Sequence, residues 1–71
     1  MFTNLQNALY RKDITMKSLA EFLQINEKTA RNKIQGKTEF TLSEVKKISI
    51  YLLPEYAFSY LFKPDDDKQV S

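Results

Sequence analysis

Between Lys28 and Lys37 the chain carries four basic residues, Lys28, Arg31, Lys33 and Lys37, and no acid. Thr29, Asn32 and Gln35 stand among them. Such side chains are hydrogen-bond donors suited to phosphates and base edges. Lys28 or Arg31 can donate to guanine O6 and N7, and Asn32 can pair bidentately with adenine. Thr29 can touch a thymine methyl, and Glu27, just ahead, can accept from a cytosine amino group. Glu27 equally suits a helix start, where a carboxylate meets the positive end of the dipole. A Lys/Arg run on a helix is more often a solvated face than a binding surface, so the elements that hold the run decide its meaning.

Composition removes most competing chemistry. The chain has 71 residues, no cysteine, no histidine and one glycine. No disulfide or thiolate metal site can form, and the usual general base and commonest metal ligand are missing. One glycine cannot build a glycine-rich phosphate loop. The expectation is therefore no enzyme, no metal, no cofactor and no small-molecule ligand. No apolar run approaches the ~20 residues of a membrane span, and the first residues do not resemble a signal peptide. The expected location is the cytoplasm, with no membrane partner. Net charge is only +2, but residues 1–64 carry ten Lys/Arg against six Asp/Glu, while Asp65, Asp66 and Asp67 sit together near the end. This is a local basic patch rather than a basic protein.

The spacing of apolar residues is helical throughout and never strand-like. Thr3 to Gln6 reads as a capping box opening a first helix, with Leu5, Ala8 and Leu9 on one face and Asp13 at its end. Thr15 can cap a second helix with Met16, Leu19, Ala20 and Leu23 inward, over about Met16 to Leu23. Gln24 and Ile25 make a short turn. Asn26 caps a third helix from Glu27 to Gln35, which Gly36 closes. That helix has only Ala30 and Ile34 as apolar positions, so most of its surface is offered outward. Thr41 to Glu44 is a second capping box, with Phe40 and Val45 at staple spacing and Leu42, Val45, Ile48 and Leu52 on one face. Pro54 interrupts this fourth helix and is expected to open a fifth, rich in Tyr56, Ala57, Phe58, Tyr60, Leu61 and Phe62. Pro64 stops it. The predicted architecture is all-α: a compact bundle of about five short helices over 1–64, with a disordered acidic and polar tail over 65–71.

The second and third helices and their turn have the spacing of a helix-turn-helix. With Leu19-Ala20, Ile25, Asn26 and Gly36-Lys37, this segment resembles the lambda-type Cro and CI repressor family. The later NKIQGKTEFTLSEVKKI and the closing Leu61-Phe62 are similar to small regulators of phages from Gram-positive bacteria. The resemblance covers roughly residues 5–62. It implies a lambda repressor-like DNA-binding domain whose third helix enters the major groove of a duplex operator. On this chain the implied base contacts are Glu27, Lys28, Thr29, Arg31 and Asn32. Phosphate contacts would come from the start of helix two, at Thr15 and Lys17, from Lys37 and Thr38 after helix three, and from Thr41. Three features depart from the family pattern. Met16 replaces a glutamine that helps hold a phosphate. Gln24 replaces a turn glycine, at a cost on the order of 1 kcal/mol if its backbone is left-handed. Leu9 and Ile34 replace a buried Arg–Glu pair, an exchange that need not lose stability. Lys33 falls where relatives are apolar and is expected to run along the core edge with its ammonium in solvent.

The resemblance further implies a homodimer on a near-palindromic operator, because one short helix reads few base pairs. Phe58 or Phe62 is the expected interface residue, with Leu61 and Tyr60, or Ala57, in the core. The expected function is a sequence-specific transcriptional regulator, a phage or prophage repressor of single-domain type. The alternative is a protein-interaction module on the same fold, antitoxin-like or an anti-repressor. Lys46 and Lys47 lack a comparable frame and read as solvated.

Overall fold

The computed structural model describes residues 1–64, so the acidic tail expected over 65–71 lies outside the described residues. The domain is all-α. Helices α1 (Thr3–Arg11), α2 (Met16–Leu23), α3 (Glu27–Gln35), α4 (Leu42–Lys47) and α5 (Phe58–Leu61) are joined by short turns, and α4 runs on into a π turn over Ile48–Leu52. No strand occurs among the described residues. None of the helices is long and apolar enough to cross a membrane.

The first three helices end by one device. After each, one residue turns left-handed: Asp13 at φ 58°, Gln24 at φ 61° and Gly36 at φ 84°. The next N–H then reaches back five residues, from Ile14 to Leu9 O, from Ile25 to Ala20 O and from Lys37 to Asn32 O, each at 2.9 Å. This is the Schellman closure, and it satisfies carbonyls that a helix end otherwise orphans. Ile14 and Ile25, placed just past the reversal, pack onto the core. The starts are equally well specified. The Thr15 hydroxyl accepts from Ser18 N–H at 3.0 Å, and the Asn26 side chain accepts from Thr29 N–H at 2.7 Å. At α4 the Thr41–Glu44 capping box is complete, with both reciprocal bonds formed.

Leu5, Ala8 and Leu9 of α1, Leu19, Ala20 and Leu23 of α2, and Ala30 and Ile34 of α3 meet Ile48, Leu53 and Leu61 in one buried cluster. Leu9 and Ile34 are both in it. Phe2, Phe40 and Phe62 extend this core with edge-to-face contacts, their centroids 5.4–6.2 Å apart.

Four expectations are corrected. Thr3 is the first residue of α1 rather than its cap. Phe2 holds the cap position, where its carbonyl accepts from Gln6 N–H and its own N–H donates to Ile34 O at 2.8 Å. Leu42 faces solvent, 70% exposed, because it opens α4 ahead of the residues that touch the core. Pro54 does not open α5. Leu53 N–H closes the π turn on Ile48 O at 2.8 Å and Leu53 is fully buried, so Pro54 falls in the turn that follows. Leu53 has no side chain that could cap a helix begun at Pro54. Finally, Tyr60 and Ala57 are exposed and Leu61 alone of that group is core. The π turn explains the exchange of Leu52 for Leu53 as the fully buried residue. Residues five apart on an α-helix point ~140° away from each other, and a wider turn narrows that angle, so Ile48 and Leu53 can both face inward.

Candidate functional site

Helix α3 is fixed from three sides. It packs on α2 and α1. Its start is held by the Asn26 cap, and its end by the Gly36 reversal. Inward it buries Ala30, Ile34 and Lys33. Outward it exposes Lys28, Arg31 and Gln35, with Glu27, Asn32 and Thr29 half-buried at the edges. Three-, four- and seven-residue spacing puts Lys28, Arg31 and Gln35 on one stripe, with Asn32 beside it. Thr29 lies toward the packed side, and Gln35 is a member of the outward face that was not among the expected base contacts.

Glu27 and Arg31 form an ion pair at 2.6 Å. Spacing of i and i+4 on a helix favours such a pair, and the pairing is legible in the sequence. It leaves both groups committed to each other, whereas Lys28 is exposed and carries no ion pair among the described residues.

Beyond α3, the N–H groups of Lys37 and Thr38 both donate to Asn32 O, at 2.9 and 3.4 Å, so the loop folds back against the end of the helix. Both side chains are exposed. Gly36 permits this reversal, since its φ of 84° is strained for any residue that carries a Cβ. The start of α2 offers exposed Lys17 beside Thr15, whose hydroxyl is engaged with Ser18 N–H and Oγ. Thr41 is exposed, but its hydroxyl and N–H are both engaged with Glu44.

Lys33 corrects its expectation. It is only 8% exposed, and its ammonium stays inside rather than in solvent. Nζ lies 3.0 Å from Glu44 Oε1, donates to Glu39 O at 3.0 Å, and sits 5.9 Å from the Phe40 ring centroid. The buried lysine thus has a carboxylate, a carbonyl and an aromatic face as partners. Burial pushes the Glu44 carboxyl up, but the Thr41 N–H, the Lys33 ammonium and the Thr41 hydroxyl outweigh it and hold the group below its ordinary range. The sequence signal was present but divided, with Lys33 in an inward slot of α3 and Glu44 hidden in a capping box.

At the other end, Phe58 is exposed and Phe62 is half-buried in the aromatic cluster, their rings 5.8 Å apart. Of the two, Phe58 is the outward one. No group of three or more Asp or Glu side chains among the described residues is placed to hold a metal ion. Comparison of the chain with protein-family models, curated proteins and solved structures finds no match.

Proposed function

We propose that this chain is a sequence-specific duplex-DNA-binding regulator of the lambda-type Cro and CI kind, with α2 and α3 as its helix-turn-helix. The observation that carries the reading is the division of α3. Ala30, Lys33 and Ile34 fix it to the domain, while Lys28, Arg31, Asn32 and Gln35 face out as donors and acceptors. The reading assigns that face to the major groove, with Lys28 and Asn32 as the base donors free of an ion pair. Arg31 would reach a guanine only by leaving or sharing Glu27.

Lys17 beside the free amides at the start of α2, and Lys37 with Thr38 after α3, suit phosphate contacts on either side of that groove. A second copy would supply the other half-site of a near-palindromic operator about 34 Å away, with Phe58 at the contact between copies. A phage or prophage repressor acting in the cytoplasm fits this reading. No catalytic role is proposed.

Selection of bound sequences from a random duplex pool tests binding, specificity and half-site symmetry together. Enrichment of a symmetric site, with affinity falling steeply as salt rises, supports the reading. Absence of duplex binding at low salt overturns it. A protein-interaction role finds its support on a different surface, the outward side of α4.

A further inference from the structure

Leu42, Ile50 and Tyr51 are 70%, 57% and 74% exposed, and they lie together. With Ser43, Lys46 and Lys47 they line one open groove of about 470 Å³. Exposed apolar residues scattered singly are ordinary, but a cluster on one groove is not. The π turn helps to create it. A wider turn advances each residue through a smaller angle, which carries Ile50 and Tyr51 round toward the line of Leu42 and Lys46. The same distortion that buries Leu53 therefore turns two large apolar side chains to solvent.

The charge around the groove has one sign. Lys46 and Lys47 are exposed and have no ion pair among the described residues. The one acid of α4, Glu44, is turned away and held by Lys33 and Thr41. We propose that this face docks an acidic amphipathic segment of a partner protein, with apolar residues at helical spacing set on Leu42, Ile50 and Tyr51 and flanking Asp or Glu against Lys46 and Lys47.

Two other occupants fit less well. A second copy joined by a two-fold axis here would bring Lys46 and Lys47 toward their own equivalents, which like-charge repulsion disfavours. The chain's own residues 65–71 supply acid, but Val70 is their single apolar residue, too little to cover three exposed side chains.

The test is a nitrogen-15 NMR titration of the full chain, without DNA, with two synthetic helical peptides. Both carry one apolar stripe, flanked by glutamate in one and by lysine in the other. The expected result is amide shifts confined to residues 42–51 with the acidic peptide, and binding at least roughly tenfold weaker for the basic one. Lys46→Glu with Lys47→Glu should invert that preference. Leu42→Ser with Tyr51→Ser should abolish binding while the circular dichroism stays native, because both side chains are exposed. Equal binding of the two peptides, binding of neither, or no inversion overturns the proposal. So do shifts over 42–51 that appear on diluting the free protein, which assign the face to a second copy, or on deleting residues 65–71, which assign it to the chain's own tail. Because DNA is absent, the outcome is independent of the DNA-binding reading.

Discussion

Lys33 Nζ stands 3.0 Å from Glu44 Oε1, joining the last turn of α3 to the first turn of α4. The same ammonium holds Glu39 O, so the loop that carries Lys37 and Thr38 is tied down at its far end. At its near end the loop is tied by Asn32 O. One buried pair thus sets the position of the proposed phosphate-contacting loop relative to the proposed reading helix.

Removing one partner of this pair leaves a nearly buried charge uncompensated. Glu44→Gln should destabilise the domain by about 2–4 kcal/mol, lowering Tm by roughly 10 °C or more for a domain of this size. Lys33→Met keeps volume and leaves the carboxylate with its Thr41 bonds, so it should cost less. The double variant should be more stable than Glu44→Gln alone, because no charge is left unpaired. Urea denaturation of the three variants measures this, and simple additivity of the two single losses would refute the pairing.

The pH dependence follows from the same group. The Glu44 carboxyl is held below its ordinary range in the folded state. The unfolded chain therefore binds its proton first as pH falls. Stability from this group is fully present above the ordinary carboxylate value and is lost as pH drops through the lower folded-state value. Glu44→Gln should flatten the acid limb of the stability curve in that window and leave its slope near neutrality unchanged. Thermal unfolding from pH 7 down to pH 2 reads both.

Gln24 sits at φ 61° with an exposed side chain. A non-glycine residue in this region carries strain that glycine does not, so Gln24→Gly should stabilise by roughly 0.5–1 kcal/mol. Gly36→Ala should do the reverse, because its left-handed φ is strained for any side chain. Denaturant midpoints of the two variants should move in opposite directions.

On duplex DNA, Lys28→Ala should cost ~1–3 kcal/mol at the preferred site and little elsewhere, relaxing specificity at one base position. Lys37→Ala should weaken all sequences alike and reduce the salt slope by about one. Glu27→Gln releases Arg31 from its 2.6 Å ion pair and should alter base preference rather than overall affinity. Gel shifts over a salt series, on preferred and scrambled duplexes, separate the three.

Helices α2 and α3 could be read to the residue because Thr15, Asn26 and Gly36 are local signals, each acting on backbone within one turn. The exposure of Lys28 and Arg31 was legible for the same reason, while Thr29 fell toward the packed side. What failed was non-local or changed the helical period. Periodicity carried Leu42, Val45, Ile48 and Leu52 forward as one face, but the π turn inserts a residue and makes Leu53 the buried one. The ammonium of Lys33 was expected in solvent because its partner lies across a loop, where spacing carries no information. Thr3 was read as a cap because nothing in the sequence announces the bond between Phe2 N–H and Ile34 O.

That bond has a consequence in hydrogen exchange. Amides at the start of a chain ordinarily trade their protons within moments, since fraying costs almost nothing. The Phe2 amide is fastened at 2.8 Å to the carbonyl of a core residue of α3, beside a ring packed on Phe40 and Phe62. Its proton should leave only when α1 parts from α3, and the second residue of the chain should exchange as slowly as the deep amides of Leu9 and Leu19.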